Sequence, residues 1–174
     1  MLALFKFSSL TAFLLVALVV SADNETNMLT GTCIVCHGDS GASAGPAIPN
    51  LSSMSPNYLM GAMLAYKYEK KDELKHAIDS DDDFQDVEAF ARESTIMNRI
   101  AKGYSEAEIK VIAKYFSEQK LYFAKQSHSD ENSQAGRELH EKYCASCHEG
   151  EGKSSEGDSG VLAGQWKPYF LYSM

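Results

Sequence analysis

Cys33-Ile34-Val35-Cys36-His37 and Cys144-Ala145-Ser146-Cys147-His148 are two copies of one short pattern, in which two cysteines separated by two residues are followed directly by a histidine. Together they use all four cysteines of the chain. C-x-x-C-H is the attachment sequence for c-type haem, in which the two thiols bond to the porphyrin vinyl groups and the histidine binds the iron. The sequence therefore predicts two covalently bound haem c groups, with His37 and His148 as proximal iron ligands.

Two other uses of paired cysteines fit this sequence less well. A four-cysteine zinc site normally separates its two pairs by about 15–20 residues, whereas the pairs here are 111 positions apart. A thioredoxin-like redox motif would need a βαβ pattern around the cysteines, and the sequence has no such pattern. The haem interpretation is therefore favoured.

The N-terminus has the three parts of a secretory signal peptide. Lys6 supplies a positive charge, Leu10 to Val20 is an apolar run, and Val20-Ser21-Ala22 is a small-residue cleavage site. The run is too short for a transmembrane helix of roughly 20 residues. We expect residues 1–22 to be a signal peptide that exports the chain to the periplasm, with a retained N-terminal anchor as the alternative.

The charge balance excludes one class of partner. The chain has 24 acidic and 16 basic residues, for a net charge of −8, and loses one more positive charge if Lys6 is removed with the signal. Binding to nucleic acid or to an anionic membrane would call for a basic patch, and the sequence has none. The acidic run of residues 79–83, continued by Asp86 and Glu88, is predicted to be a solvated loop that leads into a helix; the alternative is a docking surface for a basic partner.

An internal repeat relates the two motifs. A shift of 111 positions, without a gap, also aligns three further pairs: Leu51 with Leu162, Tyr58 with Tyr169 and Met63 with Met174. The repeat predicts a first haem c domain over residues 23–124, a linker over 125–133 and the N-terminal part of a second haem c domain over 134–174. Because Met174 aligns with a mid-helix residue, we expect the chain to be a C-terminally truncated fragment of a protein that ends at about position 230.

The spacing of apolar residues predicts helices and no strands, and hence an all-α fold. Helices are expected over residues 57–68, 86–102 and 134–143. A further helix should open with a capping box of Ser105 and Glu108. Its apolar stripe is predicted to be core: Ile109, Ile112, Ala113 and Phe116.

A haem iron that only carries electrons usually has a second axial ligand, and in electron-transfer cytochromes this is commonly a methionine. Met97 lies 60 residues beyond His37 with an apolar helix between them, which is enough chain to cross to the distal face. Met97 is therefore predicted to be the distal ligand of the first haem. The other methionines of this region are predicted to be core: Met54, Met60 and Met63. The remaining histidines are predicted to be surface residues: His76, His128 and His140.

Three segments carry a resemblance to a known family: residues 94–105 (Ser-Thr-Ile-Met-Asn-Arg-Ile-Ala-Lys-Gly-Tyr-Ser), 139–144 and 162–174. They resemble the diheme cytochrome subunits of flavocytochrome c sulfide dehydrogenases, which belong to the cytochrome c4-like diheme proteins. The resemblance implies two tandem class I cytochrome c folds related by a pseudo-twofold axis. It also implies that Met97 is an iron ligand, and that an FAD-containing subunit oxidises sulfide and passes electrons to the haems.

The sequence as a whole predicts a periplasmic electron-transfer subunit that catalyses no bond chemistry itself and delivers electrons to a soluble acceptor. Two alternatives stay open. One is a stand-alone cytochrome c4-like carrier that serves a terminal oxidase, which the long acidic segment from Tyr68 to Phe90 would favour. The other is a diheme enzyme, such as a peroxidase or a thiosulfate dehydrogenase, which would need an open position at one iron.

Overall fold

The structure is a computed structural model and describes residues 26–87, 89 and 92–174. Its α-helices are α1 (26–37), α2 (Pro56–Lys67), α3 (Lys71–Asp79), α4 (Met97–Ala101), α5 (Glu106–Ser117), α6 (Asp130–Tyr143), α7 (Glu149–Gly152) and α8 (Lys167–Ser173). Two short 3₁₀ turns lie at Asp39–Gly41 and Asp82–Phe84. These residues include no strand, which confirms the all-α class. The predicted signal peptide lies outside the described residues.

The core forms where α2 packs against α4 and α5. Leu64 of α2, Ala101 of α4 and Phe116 of α5 are fully buried. The stripe predicted for α5 is confirmed, because all four of its residues are buried. Burying a Leu, Ile or Phe side chain contributes about 1.5–3 kcal/mol, so this three-helix contact accounts for much of the stability of the first part of the chain.

The capping box at the start of α5 is also confirmed. The Glu108 amide donates to Ser105 Oγ over 3.3 Å, and the Ser105 amide donates to a Glu108 carboxylate oxygen over 2.7 Å. These two bonds satisfy amide groups that have no partner within the helix. At the start of α2, the Ser55 hydroxyl accepts from the Tyr58 amide and Pro56 occupies the first turn. This helix lies within one residue of its predicted bounds.

The helix predicted over residues 86–102 is wrong over most of its length. Among the described residues of this segment, only Met97–Ala101 is helical, and those that precede it are turn or irregular. Two side chains hold this turn: the Met97 amide donates to Ser94 Oγ over 3.1 Å, and the Ser94 amide donates to Asn98 Oδ1 over 2.9 Å. Ser and Asn side chains that bond to nearby amides compete with helix formation, which explains the late start. Residues 88, 90 and 91 of the predicted helix lie outside the described residues.

Helix α3 was not predicted, and it precedes the acidic run. Its Leu74 and Ala77, three positions apart, are buried on one side. After α3, the acidic run forms the short turn Asp82–Phe84, in which Phe84 is fully buried. Lys110 of α5 binds the carboxylate of Asp81, just before this turn, over 2.7 Å and the carboxylate of Asp83, within the turn, over 2.6 Å. Asp79, Asp82, Asp83 and Asp86 are exposed, as predicted for a solvated run. The run is anchored to α5 through Lys110, and the described residues after it do not form the helix that was predicted to follow.

Helix α6 begins earlier than predicted. It starts at Asp130, behind an N-cap in which the Ser129 hydroxyl accepts from the Asn132 amide. The second part of the predicted linker is therefore helical. The spacing of apolar residues did not indicate this early start, because α6 has no buried residue.

The 111-residue repeat is also present in the backbone. The Leu51 amide donates to the Gly41 carbonyl over 2.9 Å, and the equivalent Leu162 amide donates to the Gly152 carbonyl over the same distance. Left-handed backbone conformations recur at the same shift: Ser40 with Glu151, Gly41 with Gly152, and Ser53 with Gly164. We call the described residues up to 124 the first repeat and residues 134–174 the second repeat.

Candidate haem sites

A cavity of about 580 Å³ opens beside the first C-x-x-C-H motif. Cys33, Cys36 and His37 of α1 line it, together with Met97 and Ile100 of α4. Apolar and aromatic side chains of α2 form a further part of the wall: Tyr58, Leu59, Ala62, Met63 and Tyr66. Its size lies in the usual range for small-molecule and cofactor sites, about 300–1,000 Å³, and its largely apolar lining suits a porphyrin.

His37 is held in the orientation that an iron ligand needs. Its Nδ1–H donates to the Pro49 carbonyl over 2.9 Å, so Nε2 is left available for coordination. Burial lowers the pKa of His37, and the bond to Pro49 partly offsets this effect. The imidazole is therefore kept neutral, which is the form that binds a metal. A histidine ligand that donates its other ring N–H to a carbonyl is a recurrent arrangement in metal sites.

All four cysteines are free thiols. Cys36 is exposed and Cys33 is half-buried, and burial raises the pKa of the Cys33 thiol, with hydrogen bonds from its own backbone and from Tyr104 in partial opposition. In the part of the chain that the structure describes, no group of three or more His, Cys, Asp or Glu side chains could hold a metal ion. The two cysteine pairs therefore do not meet in a four-cysteine zinc site, and each remains beside its own histidine.

The methionines differ in their surroundings. Met54, Met60 and Met63 are buried, as predicted for core residues. Met54 Sδ accepts a hydrogen bond of 3.2 Å from the Val161 amide. Met97, which is half-buried, lines the haem-sized cavity together with Met54 and Met63. The structure thus brings Met97 to the same cavity as His37, while its coordination of iron stays a prediction.

Arg92 is a cavity residue that the sequence analysis missed. Its guanidinium lies over the Tyr58 ring, 5.2 Å from the ring centre, and donates to the Tyr58 hydroxyl over 3.3 Å. Burial, with smaller contributions from the hydroxyls of Tyr58 and Tyr66, raises the pKa of nearby Tyr169 well above its usual range. A haem carries two carboxylates, and a half-buried guanidinium among tyrosine hydroxyls can bind such groups. No local pattern marks Arg92, because its partners come from α2 and α8.

The second motif follows the end of α6. Residues 144–147 form a turn, and the His148 amide donates to the Cys144 carbonyl over 2.8 Å, which is the bond expected of one helical turn. His148 Nδ1 donates to the Gly160 carbonyl over 2.8 Å. In both repeats the histidine therefore bonds to the carbonyl of the residue twelve positions later, so the two imidazoles are held by equivalent bonds. His140, predicted to be a surface residue, is only half-exposed, with a buried Nε2.

The two repeats meet through hydrogen bonds that obey an approximate twofold relationship. The Asn50 amide donates to Gln165 Oε1 over 3.0 Å, and the Val161 amide donates to Met54 Sδ over 3.2 Å. Positions 50 and 161 are equivalent under the shift of 111, and so are 54 and 165. Trp166 Nε1 adds a bond of 3.1 Å to the Ser43 carbonyl. We call this contact between the repeats the junction.

The fold and the first site define a small all-helical protein with a largely apolar cavity between a C-x-x-C-H helix and the helices that follow. Residues 25–120 match the cytochrome c sequence family. The chain therefore belongs to the cytochrome c family, has the class I cytochrome c fold, and is an electron carrier with covalently bound haem c.

Among curated proteins, the chain is similar to cytochrome c-554(548) of Halomonas halodenitrificans, with 30% identity over 89 residues that cover 51% of this chain and 86% of the relative. It is also similar to the cytochrome subunit of sulfide dehydrogenase of Chlorobaculum tepidum, with 31% identity over 94 residues. That match covers 54% of this chain and 66% of the relative. Both matches have about the length of the first repeat.

Two solved structures extend the likeness to both repeats. Cytochrome c4 of Acidithiobacillus ferrooxidans has a TM-score of 0.61 and 23% identity, and the match covers 83% of this chain and 78% of that one. Cytochrome c4 of Pseudomonas stutzeri has a TM-score of 0.64 and 21% identity, with 87% and 77% covered. At this level of identity the match concerns the fold. In the described residues, no helix is both long enough and apolar enough to span a membrane.

Proposed function

We propose that the chain is a diheme c-type cytochrome of the periplasm and that it transfers electrons one at a time between protein partners. The observation that carries the proposal is the pair of equivalent histidines: His37 bonds to the Pro49 carbonyl and His148 to the Gly160 carbonyl, each directly after two free thiols. A haem c supplies, when bound, an iron that exchanges one electron. The first haem domain spans residues 23–124, the linker 125–133, and residues 134–174 belong to the second domain.

The chain's own residues hold and insulate the two groups. Four thiols form the covalent attachment: Cys33, Cys36, Cys144 and Cys147. His37 and His148 would present Nε2 to the irons, and the thioether of Met97 would be the second ligand of the first iron, a ligand type that raises the reduction potential. The apolar wall from α2 would keep water away from a haem bound in the first site and lower the dielectric constant around it.

An FAD-containing sulfide dehydrogenase subunit is the partner we propose as electron donor, with a soluble electron acceptor downstream. The 31% identity to the cytochrome subunit of a sulfide dehydrogenase supports this choice, as do the sequence segments around Met97 and Trp166. The second candidate is a stand-alone carrier of the cytochrome c4 kind that serves a terminal oxidase. It is supported by the likeness of both repeats to two cytochromes c4.

Anaerobic stopped-flow absorbance distinguishes the two candidates. The oxidised, haem-loaded chain is mixed with sulfide, with and without the purified flavin subunit of a sulfide dehydrogenase, and haem reduction is followed. We expect reduction to be far faster with the flavin subunit present. A flavin subunit inactivated by removal of its FAD is the control. Equal rates in all three mixtures would exclude the flavoprotein as donor and leave the stand-alone carrier.

A further inference from the structure

Each proximal histidine is connected through a single peptide group to a side chain of the other repeat. In the first repeat, His37 Nδ1–H donates to the Pro49 carbonyl over 2.9 Å. The N–H of that same peptide group belongs to Asn50, and it donates to Gln165 Oε1 over 3.0 Å. This peptide group thus accepts a hydrogen bond from His37 through its carbonyl and donates one across the junction to Gln165 through its N–H.

The second repeat has the same connection with the roles of the repeats exchanged. His148 Nδ1–H donates to the Gly160 carbonyl over 2.8 Å. The N–H of that peptide group belongs to Val161, and it donates to Met54 Sδ over 3.2 Å. The two acceptors differ in strength, because an amide oxygen is a full acceptor and a thioether sulfur is a weak one.

Water cannot take over these bonds easily, because the junction is dry. Asn50 is 2% exposed, Val161 is 2% exposed and Gln165 is 9% exposed. The Gln165 amide is also fixed in one orientation, since its Nε2 donates to the Asn50 carbonyl over 2.8 Å. If the side-chain amide of Gln165 were flipped, its Nε2 would face the backbone N–H of Asn50 and both hydrogen bonds would be lost. The acceptor that the peptide group 49–50 meets is therefore defined.

A hydrogen bond to a peptide N–H makes the carbonyl of that group a stronger acceptor, because successive hydrogen bonds polarise one another. A stronger acceptor at Nδ1–H makes the imidazole a more basic ligand. A more basic ligand stabilises ferric iron more than ferrous iron, and hydrogen bonding of this kind is one of the means by which a protein sets a haem potential.

We propose that Gln165 lowers the reduction potential of the first haem through the peptide group 49–50, and that Met54 does the same, more weakly, for the second haem through the peptide group 160–161. Both are positioning residues that act on the histidine of the other repeat. This inference rests on the proposed haem attachment at both motifs. It makes the junction a part of the redox centres and not only a packing contact.

The test uses the full, haem-loaded chain and a series at one position: Gln165, Gln165→Met and Gln165→Leu, which have similar volumes and decreasing acceptor strength. The potential of the first haem is measured by spectroelectrochemistry, with the haems assigned by NMR. We expect it to rise along the series, up to about tenfold in the reduction equilibrium, or about 59 mV. In the reduced protein, the ring N–H signal of His37 should move upfield along the same series, while that of His148 stays in place.

Two further variants make the result specific. Trp166→Phe removes a hydrogen bond that also crosses the junction but touches neither peptide group, so it should leave both ring N–H signals unchanged. Met54→Leu should move the His148 signal, because it removes the acceptor of the Val161 amide. Gln165 occupies the position in the second repeat that Met54 occupies in the first, and Met54 lines the first cavity. A substitution at Gln165 can therefore act directly on the second haem, so the Gln165 series is judged by the potential of the first haem.

The proposal is overturned if Gln165→Leu leaves the His37 signal and the first potential unchanged, or if Trp166→Phe moves them equally. If Gln165→Leu does not fold, Gln165→Met, which keeps a weak acceptor, decides in the same way. A pyridine haemochrome measurement on each sample separates this failure from a failure of the proposed function. Absent haem would contradict the function, whereas bound haem with unmoved signals contradicts only the role of the junction.

Discussion

Arg92 lies with its guanidinium 5.2 Å from the centre of the Tyr58 ring and lines the cavity that also contains His37 and Met97. It thereby places a positive charge at the wall of the first haem site. A half-buried cation destabilises ferric iron, which carries the larger positive charge, and so favours the reduced state.

Arg92→Gln is therefore expected to lower the potential of the first haem, by a free energy of about 1 kcal/mol. Potentiometric titration followed by haem absorbance measures the change. Arg99→Gln is the matched control, because Arg99 is exposed on α4 and the field of an exposed charge is screened by salt. A shift of equal size in both variants would show that only the net charge of the chain matters.

The haem count follows from the motifs. We expect two haems per chain in the wild-type protein. The double variants Cys33→Ala/Cys36→Ala and Cys144→Ala/Cys147→Ala should each keep one. Pyridine haemochrome spectra of protein extracted with acidified acetone give the number, since only covalently bound haem survives extraction. If the wild-type protein carries only one haem, the motif whose double variant leaves that count unchanged is not an attachment site.

Loss of the thioether in Met97→Ala should abolish the weak far-red charge-transfer band of a ferric haem with histidine and methionine ligands, and should lower the potential of the first haem. Met63→Leu is the control, because Met63 lines the same cavity and Leu preserves its apolar volume. If the band survives in Met97→Ala and disappears in Met63→Leu, Met63 is the ligand.

The Tyr68 hydroxyl, which donates to a Glu106 carboxylate oxygen, gives a prediction for pH dependence. This bond is the main cause that lowers the pKa of Glu106. Burial, followed by the bond to Glu106, raises the pKa of Tyr68 to about 12. The Glu106 contribution is therefore complete above its unfolded pKa of about 4.3 and is lost as the pH falls through the lower folded value. The Tyr68 contribution is complete below about 10 and is lost as the pH rises towards 12.

Tyr68→Phe should accordingly reduce the free energy of unfolding by about 1 kcal/mol at pH 7, a value discounted for partial exposure. The reduction should shrink at pH 3. Denaturant unfolding followed by circular dichroism at both pH values measures it. Tyr104→Phe is the control, because the Tyr104 hydroxyl donates to the uncharged Leu29 carbonyl, and its effect should not depend on pH in this range. Parallel behaviour of the two variants would argue against a role of the Glu106 charge.

Features with a local cause could be predicted from the sequence. The capping box of Ser105 and Glu108 and the buried stripe of α5 depend on spacings of three and four residues, which the sequence displays directly. The helix predicted over 86–102 was wrong because apolar spacing says nothing about the competing bonds of Ser94 and Asn98. Helix α3 was missed because its buried positions are few and its polar residues many.

Features with long-range causes could not be predicted. Arg92 acquires its place from Tyr58, 34 positions earlier, and the Asn50–Gln165 pair is separated by 115 positions. The repeat did show that positions 50 and 161 are equivalent, as are 54 and 165. Only the folded chain reveals that these equivalent positions touch each other in pairs.

The pairing of positions at the junction also has a consequence for the origin of the two-repeat chain. The backbone amide of position 50 donates to position 165, which is the equivalent of position 54. The backbone amide of position 161, which is the equivalent of position 50, donates to position 54. Such exchange of roles is the property of an isologous interface, in which one surface is complementary to a second copy of itself. A single repeat thus carries both sides of the contact. A one-haem ancestor with this surface could form a symmetric homodimer first. Joining two copies of its gene would then place both partners of that dimer in one chain.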